Sequence, residues 1–144
     1  MKQKKFLSFL LVAIMMVTSL ALPVSAAGWI ETYDCTDTTF DFSFWFGGKS
    51  NTEGRKKDTD SSVYVNCTQV PTASFELFVD GSNNKDAPGF LWTNCTWGTY
   101  EVESTGVVII DNRVREKDFS FARLGGYRST GSGNAKGEWS PDYC

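Results

Sequence analysis

Thr38-Thr39-Phe40-Asp41-Phe42-Ser43-Phe44-Trp45-Phe46 is the stretch whose reading decides the fold. Phenylalanines at 40, 42, 44 and 46 alternate with Asp41, Ser43 and Trp45. A strand over these residues therefore turns four phenylalanine rings to one face and leaves the other more polar. Downstream, Ser61 to Val70 repeats the alternation, with Val63, Val65 and Cys67 on one side. After Pro71-Thr72 the segment Ala73 to Val79 sets Phe75, Leu77 and Val79 together. Further strands are expected over Phe90–Thr96, Thr99–Ser104 and Phe119–Leu124, with a short one near Lys136–Ser140. Val107 to Ile110 is a continuous apolar run and predicts a strand buried on both faces.

The connecting stretches carry turn chemistry. Gly47 to Asp60 and Asp80 to Gly89 are polar and rich in Gly, Asn, Asp and Ser, and Gly125 to Gly137 is Gly/Ser-rich. Asp111 to Asp118 is charged and reads as a loop or a short helical turn. No segment sustains an apolar period of 3.6. Seven to eight short strands at roughly 8–12-residue spacing define an all-β domain, an antiparallel β-sandwich or barrel.

The first residues belong to a different kind of segment. Lys2, Lys4 and Lys5 precede an apolar run from Phe6 to Leu22, then Pro23 and the small residues Ser25 and Ala26. This is the three-part pattern of a secretory signal peptide, expected to span residues 1–26 and to be removed. The remaining 27–144 then form one secreted β domain, extracellular and without stable membrane insertion. Of 14 basic and 17 acidic residues in the whole chain, the leader takes three lysines. The mature chain keeps 11 basic against 17 acidic side chains, a net charge of −6 rather than −3. An acidic chain is poorly suited to nucleic acid, whose phosphates need a basic patch.

Histidine is absent. That removes His-dependent nucleophilic catalysis and His-ligated zinc. Glu101 and Glu103 share one strand face, but neither lies in an apolar setting that would raise its pKa for glycoside hydrolysis. No enzymatic activity, cofactor or metal is expected. Asp80-Gly81-Ser82-Asn83-Asn84-Lys85-Asp86 offers oxygen ligands but misses the EF-hand spacing, so it reads as a turn.

The cysteines are Cys35, Cys67, Cys95 and Cys144, an even number with no C-x-x-C spacing, and read as disulfides. Cys67 and Cys95 sit in matching N-C-T settings late in strands, while Cys35 and Cys144 flank the domain. The preferred pairing is Cys67–Cys95 within the domain and Cys35–Cys144 between its ends. The loop-entropy model gives these bridges ~3.5 and ~5 kcal/mol at most. The same triplets are formal glycosylation sequons, but each contains a cysteine expected to be buried.

Most of the five tryptophans are expected in the core. Trp45 and Trp92 are the exceptions, because each alternates against an inward-facing set. They are the candidate ligand-binding residues, with a glycan or cell-surface ligand as the partner class, since a flat ring matches the C–H face of a sugar. Arg55-Lys56-Lys57 reads as a solvated basic loop.

Arg55-Lys56-Lys57-x-x-x-Ser61-Ser62-Val63-Tyr64-Val65, Asn94-Cys95-Thr96, Ile110-x-Asn112-x-Val114-x-Glu116, Ala122-Arg123-Leu124 and Gly137-x-Trp139-Ser140-Pro141-Asp142 occur in this order. Together they resemble uncharacterised small secreted proteins of Gram-positive bacteria that end in G-x-W-S-P-D. The resemblance spans roughly residues 55–142 and implies a compact exported β domain, with no catalytic residue to carry over. The chain departs from it by continuing to Tyr143-Cys144 and by carrying Cys35. Two functions fit the sequence. One is a non-enzymatic module binding a glycan or cell-envelope surface. The other is a bacteriocin-like secreted effector, against which stands the lack of a cationic, membrane-active segment.

Overall fold

The structure is a computed structural model and describes residues 33–144, so the leader expected over residues 1–26 lies outside the described residues. Ten strands follow in chain order: β1 Thr38–Phe44, β2 Gly48–Asn51, β3 Arg55–Lys56, β4 Val63–Gln69, β5 Phe75–Ser82, β6 Thr93–Asn94, β7 Tyr100–Val102, β8 Gly106–Ile110, β9 Phe121–Arg128 and β10 Gly133–Ser140. All pairings are antiparallel. One sheet has the order β1-β10-β4-β8. In the other, β9 and β5 form the centre. β2 and β3 share the outer edge of β9, and β6 and β7 share that of β5. The expected all-β, disulfide-stabilised sandwich is the fold. No helix among the described residues is long and apolar enough to cross a membrane.

The core follows the period-two pattern. Phe40, Phe42 and Phe44 of β1, Val63, Val65 and Cys67 of β4, and Ala135 and Trp139 of β10 are buried in one cluster. They share it with Phe75, Leu77 and Val79 of β5 and Ala122 and Leu124 of β9. Burial of one such side chain is worth about 1.5–3 kcal/mol. Removing the ring of Phe42, 1% exposed and in contact with both Phe40 and Phe44 rings, would cost about 3–5 kcal/mol.

Several expectations are corrected. Phe46 does not join its three partners: β1 ends at Phe44, and Phe46 stands exposed in the following turn. The polar stretch 47–60 contains β2 and β3, which add to the edge of β9. The Gly/Ser-rich stretch 125–137 is largely strand, because Gly125 and Gly126 lie inside β9 where opposing rings need their space. A Cβ on Gly126 would meet the Phe42 ring at 2.7 Å, and one on Gly125 would collide with Phe78. Phe90 to Thr96 is not a full strand but a 3-10 turn over Gly89–Leu91 and the two-residue β6. Val107–Ile110 is not buried on both faces. It lies in β8 at the edge of its sheet, with Val107 exposed and Ile110 buried. The charged stretch 111–118 does make the short turn considered for it, with Lys117 N–H donating to Arg113 O at 3.1 Å.

Cys35 and Cys144 are bonded, with Cα atoms 6.0 Å apart. Cys67 and Cys95 are free and buried, which corrects the expected Cys67–Cys95 bridge. The two thiols belong to opposite sheets, Cys67 in β4 and Cys95 immediately after β6. A bridge between sheets needs the two Cα atoms within roughly 4.4–6.8 Å and their Cβ vectors converging, and burial in a shared core does not by itself impose that geometry. Matching local sequence did not amount to matching position. Burial pushes the Cys67 thiol up to about 11, and burial also raises Cys95, where Lys117 pulls partly the other way.

Candidate functional site: an aromatic turn at the end of an edge groove

Residues 45–47 carry the chain from β1 in one sheet to β2 in the other. The turn is braced rather than loose. Phe46 N–H donates to Ser132 Oγ at 3.1 Å and Gly47 N–H to Gly131 O at 2.8 Å, tying it to the neighbouring β9–β10 turn. Phe46 adopts φ 53°, a costly backbone for a bulky residue, and Gly47 follows at φ 94°. A Cβ on Gly47 would approach Ser129 O to 2.8 Å, so a side chain there would force the two turns apart. The outcome is that Trp45 and Phe46 are 78% and 86% exposed. Both rings forgo the stabilisation that burial would give, and strained positions of this kind concentrate at binding and catalytic sites.

Beside this turn, the edges of the two sheets flank a groove of about 430 Å³. Thr38 to Phe42 of β1 form one wall, residues 51–55 the other, and Trp139 contributes from the last strand. Thr38, Thr39, Asp41, Asn51, Thr52 and Glu53 line the groove together with Phe40, Phe42 and Trp139, so the lining mixes polar and apolar surface. Asp41 is held by Lys136 at 2.6 Å. Arg55 closes the end remote from the turn: it donates to Thr38 Oγ1 at 2.9 Å and Trp139 O at 3.1 Å and pairs with Asp34 at 2.6 Å. The groove offers hydrogen-bonding side chains, and the turn that joins its two walls along the chain presents two exposed rings, neither of which lines the groove itself.

The other residues singled out in the sequence have structural settings. Trp92 is half-buried, donates its indole N–H to Ala87 O at 2.8 Å, and carries the Arg123 guanidinium 4.6 Å over its ring. Trp97 is exposed under Arg113, and of the four described tryptophans Trp139 alone is fully buried, fewer than expected. Asp80 lies within β5 and pairs with Arg123 at 2.9 Å, so the expected loop begins later. In that loop Asn84 Oδ1 accepts Asp86 N–H and Asn83 Oδ1 accepts Ser120 N–H. Among the described residues no group of three or more acidic or Cys side chains is arranged to hold a metal ion.

A second constellation was missed by sequence reasoning. Lys57, expected in a solvated loop, is buried and paired with Asp142 at 3.0 Å, with side-chain exposures of 0% and 1%. Lys57 also donates to Ser61 O and to Pro141 O. Asp142 accepts from Asp58 N–H and Thr59 N–H at 3.1 Å and from the Thr59 hydroxyl at 2.7 Å. Burial pulls the Lys57 ammonium below its ordinary value, against the attraction of Asp142. Burial alone would raise Asp142, but the bonds from Thr59, Asp58 and Lys57 outweigh it and hold the carboxyl below its ordinary value. Of the basic trio only Lys56 is solvated. No local signal marks the pair, since Lys57 and Asp142 lie 85 residues apart in the chain.

Fold and site thus define a β-sandwich closed by an end-to-end disulfide, anchored by a buried ion pair and displaying an aromatic turn. Residues 23–143 match the family described as "Protein of unknown function (DUF2712)", and the chain belongs to that family. No curated protein and no solved structure matches it.

Proposed function

We propose that this is a secreted, non-catalytic binding module that holds a glycan or another hydroxyl-rich polymer of the cell envelope. The observation that carries the reading is the exposure of Trp45 and Phe46 on a turn that hydrogen bonds hold in a strained conformation. The adjacent groove supplies polar groups of the kind that fix sugar hydroxyls, and its two walls are joined through that same turn. The end-to-end disulfide is the type of staple that persists outside the cytosol. The hydrogen bonds from Phe46 and Gly47 to the β9–β10 turn keep the turn's position fixed, so little conformational entropy is lost on binding.

A glycan array and a pull-down on purified cell-wall material test the proposal. The protein should be retained, and the paired change Trp45→Ala with Phe46→Ala should lower retention at least tenfold with the fold intact by circular dichroism. Absence of binding above background on both materials would overturn it.

A further inference from the structure

We propose that β8 is a self-association edge, and that two copies of the protein pair antiparallel through it. The inference is independent of the glycan reading. Among the described residues β8 pairs with β4 on one side and with no strand on the other. Which of its backbone groups are free follows from the residues just beyond it. Asp111 N–H donates to the Tyr100 hydroxyl at 2.8 Å and Asp111 O accepts Trp97 N–H at 2.8 Å. Both groups of Asp111 therefore point toward the 97–100 segment, on the side away from β4. Strand geometry alternates every residue, so Val107 and Ile109 also turn N–H and C=O outward, while Val108 faces β4.

Those groups fix a register. An antiparallel copy centred on Val108 sets Val107 opposite Ile109 of the other chain and Ile109 opposite its Val107, both as hydrogen-bonded pairs. Shifting the centre to Ile109 would bring Val107 against Asp111, whose groups are already used. In the favoured register the apposed side chains are apolar. Glu103 before the strand comes to the end where Arg113 of the other copy lies, an opposite-charge match outside the ladder; both residues are exposed.

The other edges are protected in ways that β8 is not. The edge of β1 faces the groove and carries Asp41, and both edges of the second sheet are split into short strands. Natural sheets blunt their edges with charge, proline, bulges or shortness. Gly106-Val107-Val108-Ile109-Ile110 has no charge and no proline, and it pairs with β4 without a bulge. Val107 is 59% exposed. One five-residue ladder belongs to the small, transient class of interface, so the association should be weak and concentration-dependent.

Sedimentation velocity over a rising concentration series tests this, with amide exchange as a second measurement. The wild type should move from monomer to dimer, and the Val107 and Ile109 amides should become protected as it does. Val107→Lys with Ile109→Lys places like charges opposite each other and should leave a monomer. Val107→Lys with Ile109→Glu places opposite charges across the same register and should restore the dimer. These side chains lie on the outer face, so the fold is expected to survive, and near-unchanged circular dichroism checks it. A wild type that stays monomeric with unprotected Val107 and Ile109 amides overturns the proposal, and so does a dimer indifferent to the double lysine change.

Discussion

The Lys57–Asp142 pair and the Trp45–Phe46 turn invert the usual distribution of residue types. In the first, two charges are fully buried; in the second, two large apolar rings stand in water. The buried pair is tolerable because its polar groups are satisfied. Lys57 has three oxygen acceptors and Asp142 several donors, and among the described residues no buried side-chain polar atom lacks a partner. The exposed pair has no such compensation inside the molecule. The first site is explained by the fold it stabilises, whereas the second is the surface on which the proposed ligand reading rests. The terminal Trp139-Ser140-Pro141-Asp142 stretch belongs with the buried side of this contrast. Trp139, Ser140 and Asp142 are all buried, and Ser140 donates its hydroxyl to Asp142 O at 2.9 Å.

Breaking the buried side of this contrast should have the largest effect. Asp142→Ala leaves a buried ammonium unpaired and should destabilise the protein by about 3–5 kcal/mol, read from urea unfolding. If the midpoint barely moves, the pair is not the anchor described. Opening the Cys35–Cys144 bridge, with Cys35→Ser and Cys144→Ser together, should cost about 2–4 kcal/mol in the same assay.

Acid should act on the same pair. The Asp142 carboxyl is held below its unfolded value, near 3.9, so between the two values the unfolded chain binds more protons than the folded one. Its contribution is fully present above the unfolded value and is lost as pH falls through the folded one. Thermal stability should decline below about pH 4, and Asp142→Asn should flatten that decline even though it lowers stability at neutral pH.

Thiol titration sharpens the contrast between free and bonded cysteines. Cys67 and Cys95 should resist a thiol reagent in the native protein at pH 8 and react, two per chain, in denaturant. Native reactivity, or none in denaturant, would contradict the buried free thiols. The smallest effect is expected on the exposed side. Trp45→Ala should change stability by no more than about 0.5 kcal/mol while weakening ligand retention, which separates a contact residue from a core residue.

Much of the sandwich was legible because burial on one face of a strand leaves a period-two signature. Phe40, Phe42 and Phe44, the set Val63, Val65 and Cys67, and the set Phe75, Leu77 and Val79 are buried as their spacing predicts. The signature weakens where local sequence and tertiary demand differ. Gly125 and Gly126 look like a loop, yet they are strand because rings from Phe78 and Phe42 occupy the space of their side chains. Val107 to Ile110 looks doubly buried, yet it is an edge, because apolar content does not report which strands flank it. Of the two candidate tryptophans, Trp45 stands free while Trp92 is wedged under Arg123, a distinction made by the β5–β9 register that sets Asp80 opposite Arg123.

The sequence by itself determined the all-β class, the inward faces of three long strands and the capacity of the cysteines for disulfides. Each follows from residue type and short-range spacing, which the extended chain already carries. Only the tertiary structure decided that the preferred Cys35–Cys144 bridge forms while Cys67 and Cys95 remain free thiols, and that Lys57 is buried against Asp142. These partners are separated by the greater part of the described chain, and whether they meet depends on how two sheets stack, which no local pattern encodes.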